Sequence, residues 1–599
     1  MSLLLRLLKP DRFWIVLIIG LTLSATIMEL LLPTLLATIV DHGIVRGDVP
    51  YILKIGAVML GITFLELAFS VASGFLSSRV AAKFGRNVRQ LLFQHVLKMP
   101  QQDIQTFGTA TLITRATNDI TQVQQMLLMS LRMMVRAPLM AIGGVVMAIS
   151  MDRSLSLVLL GTVPLLILVI AWVLRRALPL FKKMQKRLDG LNRIVRQYLN
   201  GVRVIRAFAR EKDEKRAIDA MSEKVMQTSI QVNVLMASMM PLMMLIMNVS
   251  MVAILWVGAV RIEGGALQVG SLMAFIQYAM LILGALMMMT MIVFMLPRAS
   301  VSMGRIAEVL ALNALAHPYG EGQHDMLPAE IDGLGSSRPA PAVRFDRSGM
   351  GDGPYRFRFE SVTFRYPGAE RAVLEDVSFT IEPGEVTAII GGTGSGKSTL
   401  LHLLLRFYEV TGGQITLDGK DIREIPVEAL RARIGYVPQQ TFLFSGTIFE
   451  NIAYGYEGAT RKDVQKAAEV AQADAFIQKL PDGYDTYVDR GGKNLSGGQK
   501  QRLAIARAVV RPAALYIFDD SFSALDYRTD LALRQALKAH LAHTTQLWVA
   551  QRTSTIREAD KIIVLEHGRI AGIGTHDMLL QTSQVYQEIV QSQSQVSSA

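Results

Sequence analysis

Six long apolar runs in the first half of the chain restrict what it can fold into. They lie near residues 13–40, 52–78, 133–150, 155–174, 234–260 and 271–296. The apolar core of a bilayer is about 30 Å thick, and roughly 17 to 25 apolar residues cross it as a helix. The first run is too long for the apolar part of a signal peptide and no clear cleavage site follows it, so we expect a retained helix. The runs therefore predict an all-α domain of six helices in a lipid bilayer.

Lysine and arginine in the connections orient these helices. Two long connections carry most of them: Arg79, Lys83, Arg86, Arg89, Lys98 and Arg115 between runs two and three, and Arg175, Arg176, Lys182, Lys183, Lys186, Arg187, Arg193, Arg196, Arg203 and Arg206 between runs four and five. Because cations stay on the cytoplasmic side, both termini and both long connections are predicted to be cytoplasmic, in a multi-pass protein of the plasma (inner) membrane. Helical patterning in these connections predicts that helices two to five continue beyond the bilayer.

The basic charge balance does not call for a nucleic-acid partner. The 599 residues have a formal net charge of +12, with 51% apolar and 19% charged residues. Membrane topology accounts for the basic loops and no base-stacking pattern accompanies them, so no nucleic acid is expected to bind. The chain has no cysteine, which excludes disulfides and thiolate metal sites.

The composition changes after the last apolar run. Residues after Leu310 are rich in Pro, Gly, Ser and His, which predicts a flexible linker over 313–354 behind a membrane domain over 1–312. A soluble domain over 355–590 follows, in which strands such as 386–390 and 515–518 alternate with helices. This alternation is typical of an α/β domain with a largely parallel sheet.

The Ser- and Gln-rich end of the chain, residues 591–599, is expected to be disordered because it offers few apolar side chains for packing.

A glycine-rich turn between a strand and a helix predicts a phosphate site in the soluble domain. It consists of Gly391, Gly392, Thr393, Gly394, Ser395, Gly396, Lys397 and Ser398, and Thr399 begins the helical run that follows. Glycines let successive backbone N–H groups point into one concavity, and the helix N-terminus adds positive potential. Lys397 is expected to reach the outer phosphates and the Ser398 hydroxyl to ligate Mg²⁺.

A second apolar strand, Leu515 to Phe518, ends in the two acids Asp519 and Asp520. Asp519 is expected to hold Mg²⁺ through water. Many phosphate-loop proteins share this arrangement, so it does not narrow the function further.

The segment Leu495 to Gln499 resembles the signature of ABC transporters. It reads Leu495-Ser496-Gly497-Gly498-Gln499 and is followed by Lys500-Gln501-Arg502-Leu503. Together with the six apolar runs, it makes the chain resemble an ABC exporter half-transporter, a membrane domain fused to a P-loop ABC ATPase. The resemblance implies ATP and Mg²⁺ as cofactors, and a dimer in which each ATP lies between one chain's phosphate loop and the other chain's signature.

Other positions match motifs of this family in order. Tyr366 matches the aromatic residue that stacks on adenine, Gln439 matches the Q-loop ligand of Mg²⁺, and Asp526 belongs to the D-loop. Two cytoplasmic segments, around Thr106 to Asp119 and Val202 to Lys212, resemble the coupling helices that carry closure of the ATP sandwich into the membrane domain.

Two catalytic positions depart from the family pattern. The family normally has Glu after the first acid, where this chain has Asp520, and a switch-loop His where this chain has Gln551. A carboxylate drawn back by about 1 Å from an attacking water loses on the order of 100-fold in rate. Gln can donate a hydrogen bond but carries no positive charge. Both changes are expected to weaken hydrolysis at this chain's own site and to leave ATP binding intact.

Three interpretations of these departures remain open. The chain resembles the degenerate-site subunit of heterodimeric bacterial exporters, whose partner would carry Glu and His at the two positions. The alternatives are a homodimeric exporter with a harmless variation, and a regulatory or gating membrane protein that binds ATP with little hydrolysis. From the resemblance, the expected cargo is hydrophobic or amphipathic, with drug-like molecules as the default and lipids or peptides as alternatives.

Two acids within the apolar runs, Glu29 and Glu66, are expected to face a cavity or a partner, because exposing a carboxylate to lipid is unfavourable. They either attract cationic compounds or take part in a proton-linked step, or they form internal pairs with Asn, Ser or Arg. Methionines recur at helical spacing in the fifth run, namely Met236, Met240, Met243, Met247 and Met251. Such a stripe is typical of packing, and it also suits a surface that accepts many apolar ligands.

Overall fold

The computed structural model describes residues 6–311 and 355–597, without the side chains of residues 291, 293–295, 297 and 594–597. The expected linker, 313–354, lies outside these residues. The described residues form two units. One comprises residues 6–99 and 107–311, and the other comprises residues 100–106 and 355–597.

Helices account for nearly all of the first unit. With one short helix that belongs mostly to the second unit, they are α1 (Arg12–Thr38), α2 (Val49–Lys98), α3 (Gln101–Phe107), α4 (Thr109–Thr114), α5 (Ile120–Met151), α6 (Ser156–Ala207), α7 (Glu211–Glu263) and α8 (Val269–Ala311). Among the described residues, six helices are long and apolar enough to cross a membrane. They coincide with the six apolar runs, which confirms the predicted membrane domain.

Several of these helices are much longer than a bilayer requires. α2, α6 and α7 contain 50, 52 and 53 residues, and at about 1.5 Å per residue each is more than twice the ~30 Å of a hydrocarbon core. They therefore extend past the bilayer, as the patterning of the long connections predicts. Pro164 and Pro241 lie inside α6 and α7 without ending them.

Charged side chains inside the first unit pair across helices. Arg136 on α5 donates to Glu29 on α1 at 2.7 Å, which is the internal pair with Arg that the sequence left as one alternative for Glu29. Asp152, which follows α5, accepts from Arg261 Nη2 on α7 at 2.8 Å. Pairing of this kind offsets the cost of placing charges among apolar helices.

The second unit contains two larger sheets and one small pair of strands. The strands are β1 (Phe357–Phe364), β2 (Leu374–Ile381), β3 (Val386–Ile390), β4 (Gly412–Leu417), β5 (Lys420–Asp421), β6 (Ile434–Val437), β7 (Gly446–Thr447), β8 (Tyr487–Val488), β9 (Leu515–Asp519), β10 (Thr545–Val549), β11 (Lys561–Glu566) and β12 (Arg569–Gly574). One sheet has the order β12-β11-β3-β10-β9-β6, and another has the order β2-β1-β4-β5. In the first sheet only the β11–β12 pair is antiparallel, which confirms the largely parallel sheet.

The helices of this unit, after α3, cover both faces of the parallel sheet. They are α9 (Lys397–Leu404), α10 (Val427–Arg431), α11 (Ile448–Ala453), α12 (Arg461–Val470), α13 (Asp474–Ile477), α14 (Gly497–Val509), α15 (Tyr527–His540), α16 (Thr553–Ile556), α17 (His576–Thr582) and α18 (Gln584–Ser597). The parallel sheet has a hydrophobic core on each face, and successive residues of β9 enter different cores. Ile517 packs with α9 and the antiparallel sheet, whereas Phe518 packs with helices on the opposite face.

The end of the chain differs from the expectation of disorder. α18 continues to Ser597, and the side chain of Gln593 makes hydrogen bonds outside its own helix. These tertiary contacts hold a segment whose composition alone is typical of a disordered tail.

Residues 100–106 belong with the second unit. Within it, Tyr408 Oη donates to Gln105 Oε1 at 3.0 Å. The first segment that resembles a coupling helix was expected from Thr106 to Asp119, and of that segment only Thr106 is grouped with the ATPase unit. The second expected segment contains the end of α6 at Ala207 and the start of α7 at Glu211.

Candidate functional site

The phosphate loop joins β3 to α9, and close contacts require glycine at two of its positions, Gly391 and Gly396. A Cβ on Gly391 would lie 2.1 Å from the carbonyl oxygen of Leu565, and Gly396, the N-cap of α9, has φ +103°. Only glycine adopts such a backbone at little cost. The loop therefore turns tightly and leaves the N-terminal N–H groups of α9 facing the cavity in front of it.

Lys397 folds back over this loop. Its Nζ donates to the carbonyl oxygens of Gly391 and Gly392, both at 2.8 Å. Burial lowers the pKa of the Lys397 ammonium, and the nearby carboxylates of Asp520 and Asp519 act in the opposite direction. The ammonium thus lies beside the turn where the sequence places the phosphates, and it can exchange two carbonyl oxygens for phosphate oxygens.

Two carboxylates face the loop from the end of β9. Asp519 is only 4% exposed, and burial together with the neighbouring Asp520 raises its pKa to about 6. Asp520 is the first residue beyond the strand and has φ +45°. Its backbone N–H donates to the carbonyl oxygen of Val549 at 2.8 Å, which fixes the direction in which its side chain leaves the sheet.

The two glutamines expected at the site converge on Asp520. Gln551 Nε2 donates to Asp520 Oδ2 at 3.0 Å, and Gln439 Nε2 lies 3.5 Å from the same oxygen. Burial raises the pKa of Asp520, while the contact with Gln439 and the charge of Lys397 act to lower it. One carboxylate oxygen of Asp520 is therefore shared between the Q-loop and the segment after β10, which we call the switch loop (residues 550–552).

These groups surround a cavity of about 230 Å³. It is lined by Val373, Thr393, Gly394, Gly396, Lys397, Ser398, Thr399, Gln439, Asp519, Asp520, Val549 and Gln551. Most of the residues that the sequence assigns to one nucleotide site are thus brought together in space.

The donors around this cavity fit Mg²⁺. Ser398, Gln439 and Asp519 offer a hydroxyl, an amide oxygen and a carboxylate, and Mg²⁺ prefers oxygen ligands. The buried carboxylate of Asp519, whose pKa is raised by its surroundings, is a group whose ionised form a divalent cation would stabilise. Among the described residues no group of three or more His, Asp or Glu side chains could hold a metal ion.

Tyr366 lies at the edge of the site. Its Oη is 3.2 Å from the hydroxyl of Thr399, and its ring contacts Phe364 and Tyr408 edge-on. The structure therefore places the expected adenine-stacking residue beside the first turn of α9.

The signature residues do not line this cavity. Ser496 is the N-cap of α14, where its hydroxyl accepts from Gln499 N–H and Gln499 Oε1 accepts from Ser496 N–H. Gly497 and Gly498 begin the helix itself. Asp526 caps α15 by accepting from Thr529 N–H at 3.0 Å, and this contact lowers the pKa of Asp526. Both segments are thus capped helix starts, and neither contributes a residue to the lining of the cavity beside the phosphate loop.

Gln593 on α18 is a residue of the site region that the sequence did not single out. Its Oε1 accepts from Thr553 N–H at 2.8 Å and from the Thr553 hydroxyl at 2.9 Å, and its Nε2 donates to the Gln551 carbonyl oxygen at 2.7 Å. α18 also borders a cavity of about 350 Å³ beside the phosphate loop. The sequence offers one signal for Gln593, its place in a helical pattern near the end of the chain. The Ser- and Gln-rich composition there is typical of a disordered tail and hides this signal.

Known protein families match this chain in both of its units. The family "ABC transporter transmembrane region" matches residues 15–286, and the family "ABC transporter" matches residues 374–523. An uncharacterised ABC transporter ATP-binding protein of Mycobacterium tuberculosis is 41% identical over 597 residues, which cover 99% of this chain and 98% of the relative. An ATP-dependent lipid A-core flippase of Chromohalobacter salexigens is 32% identical over 553 residues, which cover 92% of this chain and 91% of the relative.

A solved structure has the same fold over nearly the whole chain. It is that of a bacterial Atm1-family ABC exporter with ATP bound, with a TM-score of 0.74 and 26% identity, and the match covers 98% of each chain. With the relatives above, it shows that the chain belongs to the ABC transporter family, as an exporter half-transporter in which a six-helix membrane domain precedes a cytoplasmic ABC ATPase domain.

Proposed function

We propose that this chain is the degenerate-site subunit of a heterodimeric ABC exporter. The exporter uses ATP to move hydrophobic or amphipathic compounds across the plasma membrane, away from the cytoplasm. The observation that carries this proposal is the contact of Gln551 Nε2 with Asp520 Oδ2 at 3.0 Å. The two residues that depart from the family pattern thus meet at the place where the attacking water is oriented.

The nucleotide-binding part of the site supports tight binding of ATP. Lys397 supplies a charge to the outer phosphates, the N–H groups of the loop and of α9 bind phosphate oxygens, and Tyr366 offers its ring to adenine. Ser398, Gln439 and Asp519 would hold Mg²⁺, which when bound neutralises phosphate charge. None of these groups departs from the family pattern, so ATP binds and persists here.

The hydrolytic part of the same site is weak. Phosphoryl transfer depends on an in-line water and on stabilisation of charge on the transferred group. Asp520 holds its carboxylate closer to the backbone than Glu would, and Gln551 offers a neutral N–H where a histidine could carry positive charge. Gln551 Nε2 also donates to Asp520 Oδ2, and Gln439 Nε2 lies 3.5 Å from the same oxygen, so these amides compete with a water for that oxygen.

The intact signature supports a division of labour between two subunits. Ser496 and Gly498 of this chain would contact the γ-phosphate bound to the partner's phosphate loop. A partner with Glu and His at the two positions would then form one fast site with this signature. The site built on Lys397 would remain a slow clamp that keeps the two ATPase domains together.

The cargo is proposed to be amphipathic, with lipid-like molecules included. A relative that covers 92% of the chain is described as an ATP-dependent lipid A-core flippase, and the membrane unit contains an apolar cavity with Met247, Met251 and Met280 among its walls. That cavity holds only about 60 Å³, which is less than a drug-sized molecule requires.

A nucleotide-release measurement tests the asymmetric function. The transporter, purified with any partner it retains, is loaded with radiolabelled ATP and Mg²⁺ and chased with unlabelled ATP. One ATP per dimer is expected to remain unhydrolysed long after the other has been turned over. Uniform turnover of both nucleotides would contradict the slow clamp, and ATP-dependent gating without cargo transport in vesicles would favour the regulatory alternative.

Replacing Gln593 by Ala is expected to slow the slow phase of single-turnover ATP hydrolysis about fivefold. The side chain holds the switch loop through contacts with Gln551 and Thr553, and losing a hydrogen bond of this kind is worth roughly 1 kcal/mol. Rapid-quench measurement with one labelled ATP per site gives the rate.

The matched control for this variant is Gln584→Ala, which removes a glutamine of the same helix whose Nε2 donates to the neighbouring Glu588. If Gln593 acts through Gln551, its loss has no further effect in the Gln551→Ala background. Equal slowing by the control variant, or full slowing in that background, would contradict this role.

A further inference from the structure

A cavity of about 340 Å³ lies between the start of α1 and the middle of α2, far in sequence from the nucleotide site. It is lined by Asp11, Trp14, Leu76, Arg79, Val80, Lys83 and Arg86. All of these residues belong to the first unit. No step of the ATP cycle described above uses them.

One wall of this cavity is strongly basic. Arg79, Lys83 and Arg86 follow one another at spacings of four and three residues, so they lie on one face of α2. Opposite them stands one carboxylate, Asp11, which is 4% exposed and pairs with Lys83 Nζ at 2.8 Å. Three cations and one carboxylate leave a net charge of +2 in the wall.

The two arginines are not engaged by protein groups of comparable strength. Within the described residues Arg79 makes no hydrogen bond or ion pair, and it is exposed on α2 where it lines the cavity. Arg86 makes only 3.4 Å contacts from Nε and Nη2 to the neutral side chain of Asn87. Both guanidinium groups are therefore free to bind an anion, and guanidinium binds phosphate in a bidentate manner.

The cavity also has an apolar wall, to which both helices contribute, and this wall lies at the membrane boundary. Leu76 and Val80 contribute aliphatic surface, and Trp14 on α1 is 40% exposed. Tryptophan is enriched at the level of lipid headgroups. In α2 the apolar run ends where Arg79 begins the cytoplasmic cations, so the cavity opens at the cytoplasmic headgroup layer.

We propose that this cavity binds the phosphate headgroup of an anionic phospholipid from the cytoplasmic leaflet. Arg79 and Arg86 bind the phosphate oxygens, Lys83 stays paired with Asp11 and orders the basic wall, and the glycerol backbone lies against Leu76 and Val80. Basic pockets between membrane helices on the cytoplasmic side have the chemistry to bind such headgroups. A soluble phosphate ester shares the charge but cannot use the apolar wall.

Native mass spectrometry with added lipid tests this site on the full transporter. Phosphatidylglycerol and phosphatidylcholine are titrated against the wild type, against Arg79→Gln with Arg86→Gln, and against a control in which Lys182→Ala and Lys183→Ala remove two exposed cations of α6. A third variant, Arg79→Lys with Arg86→Lys, keeps the charge. The wild type is expected to bind one phosphatidylglycerol per chain about tenfold more tightly than phosphatidylcholine.

The glutamine variant should lose this preference, while the control and the lysine variant should keep most of it. Equal preference in the glutamine variant would overturn the site, as would loss of preference in the α6 control. Glycerol 3-phosphate is added as a competitor. Displacement of phosphatidylglycerol at equal concentration would show that a soluble phosphate, not a lipid, is the ligand, and this result also overturns the proposal.

Discussion

Replacing Asp520 by Glu together with Gln551 by His is expected to raise hydrolysis at this chain's own site by on the order of 100-fold. The added methylene moves the carboxylate toward the attacking water, and the imidazole can carry a charge that stabilises the transferred phosphoryl group. The change also removes the Gln551 amide that donates to Asp520 Oδ2 at 3.0 Å. Turnover of the purified transporter in liposomes, measured as phosphate release, gives the result.

The matched control for this prediction is another aspartate with a positive φ. Asp418 has φ +50°, close to the +45° of Asp520, and it lies outside the nucleotide cavity. Asp418→Glu therefore places Glu in the same strained backbone region without reaching ATP. If the double variant is as stable as this control to heating but turns over no faster than the wild type, the geometry at Asp520 and Gln551 does not limit hydrolysis.

Replacing Lys397 by Ala is expected to weaken ATP binding at this chain's site by about 100-fold. Lys397 Nζ donates to two carbonyl oxygens at 2.8 Å, and we expect it to donate to phosphate oxygens instead when ATP binds. Charge-assisted hydrogen bonds of this kind are worth about 1.5–3 kcal/mol. Equilibrium titration with a fluorescent ATP analogue measures the loss.

Lys462→Ala is the control for this variant, because Lys462 is exposed at the start of α12 in the same unit. The chase experiment gives a second reading. If the long-lived ATP belongs to the site built on Lys397, it disappears in Lys397→Ala and persists in Lys462→Ala. Retention of that ATP without Lys397 would place the slow site on the partner's phosphate loop.

The apolar runs predict the membrane helices well because a bilayer imposes a length and a composition on whatever crosses it. They do not fix where each helix ends outside the bilayer: α7 begins at Glu211, well ahead of the apolar run from residue 234. Outside the bilayer the ends of the helices depend on how their amphipathic faces pack. Mean hydropathy along the chain shows such packing only weakly.

Local backbone chemistry limits what can be predicted in the ATPase unit. Phe357 and Phe359 alternate with exposed residues, but the next buried residue is Val362, one position out of phase. Ser361 has φ +47°, and the pairing of β1 with β2 shifts between Phe359 and Val362. The alternation of buried and exposed residues suggests two separate strands here. A β-bulge joins them into the single strand β1.

The candidate site also contains parts that the sequence predicts and one residue that it does not. Its phosphate loop and acids could be predicted because glycine, lysine and carboxylate at fixed spacing serve one local chemistry. Gln593 could not, since its partners Gln551 and Thr553 lie about 40 residues away in sequence and a Gln-rich composition says nothing of tertiary contacts.

The central claim, that this chain supplies a slow site to an asymmetric pair, is tested most directly by native mass spectrometry of the tagged chain purified from its source membrane. A second, different ABC subunit is expected in equal amount, with Glu and His at the positions of Asp520 and Gln551. A dimer of this chain alone would contradict it, because both sites would then carry Asp520 and Gln551 and neither could act as the fast one.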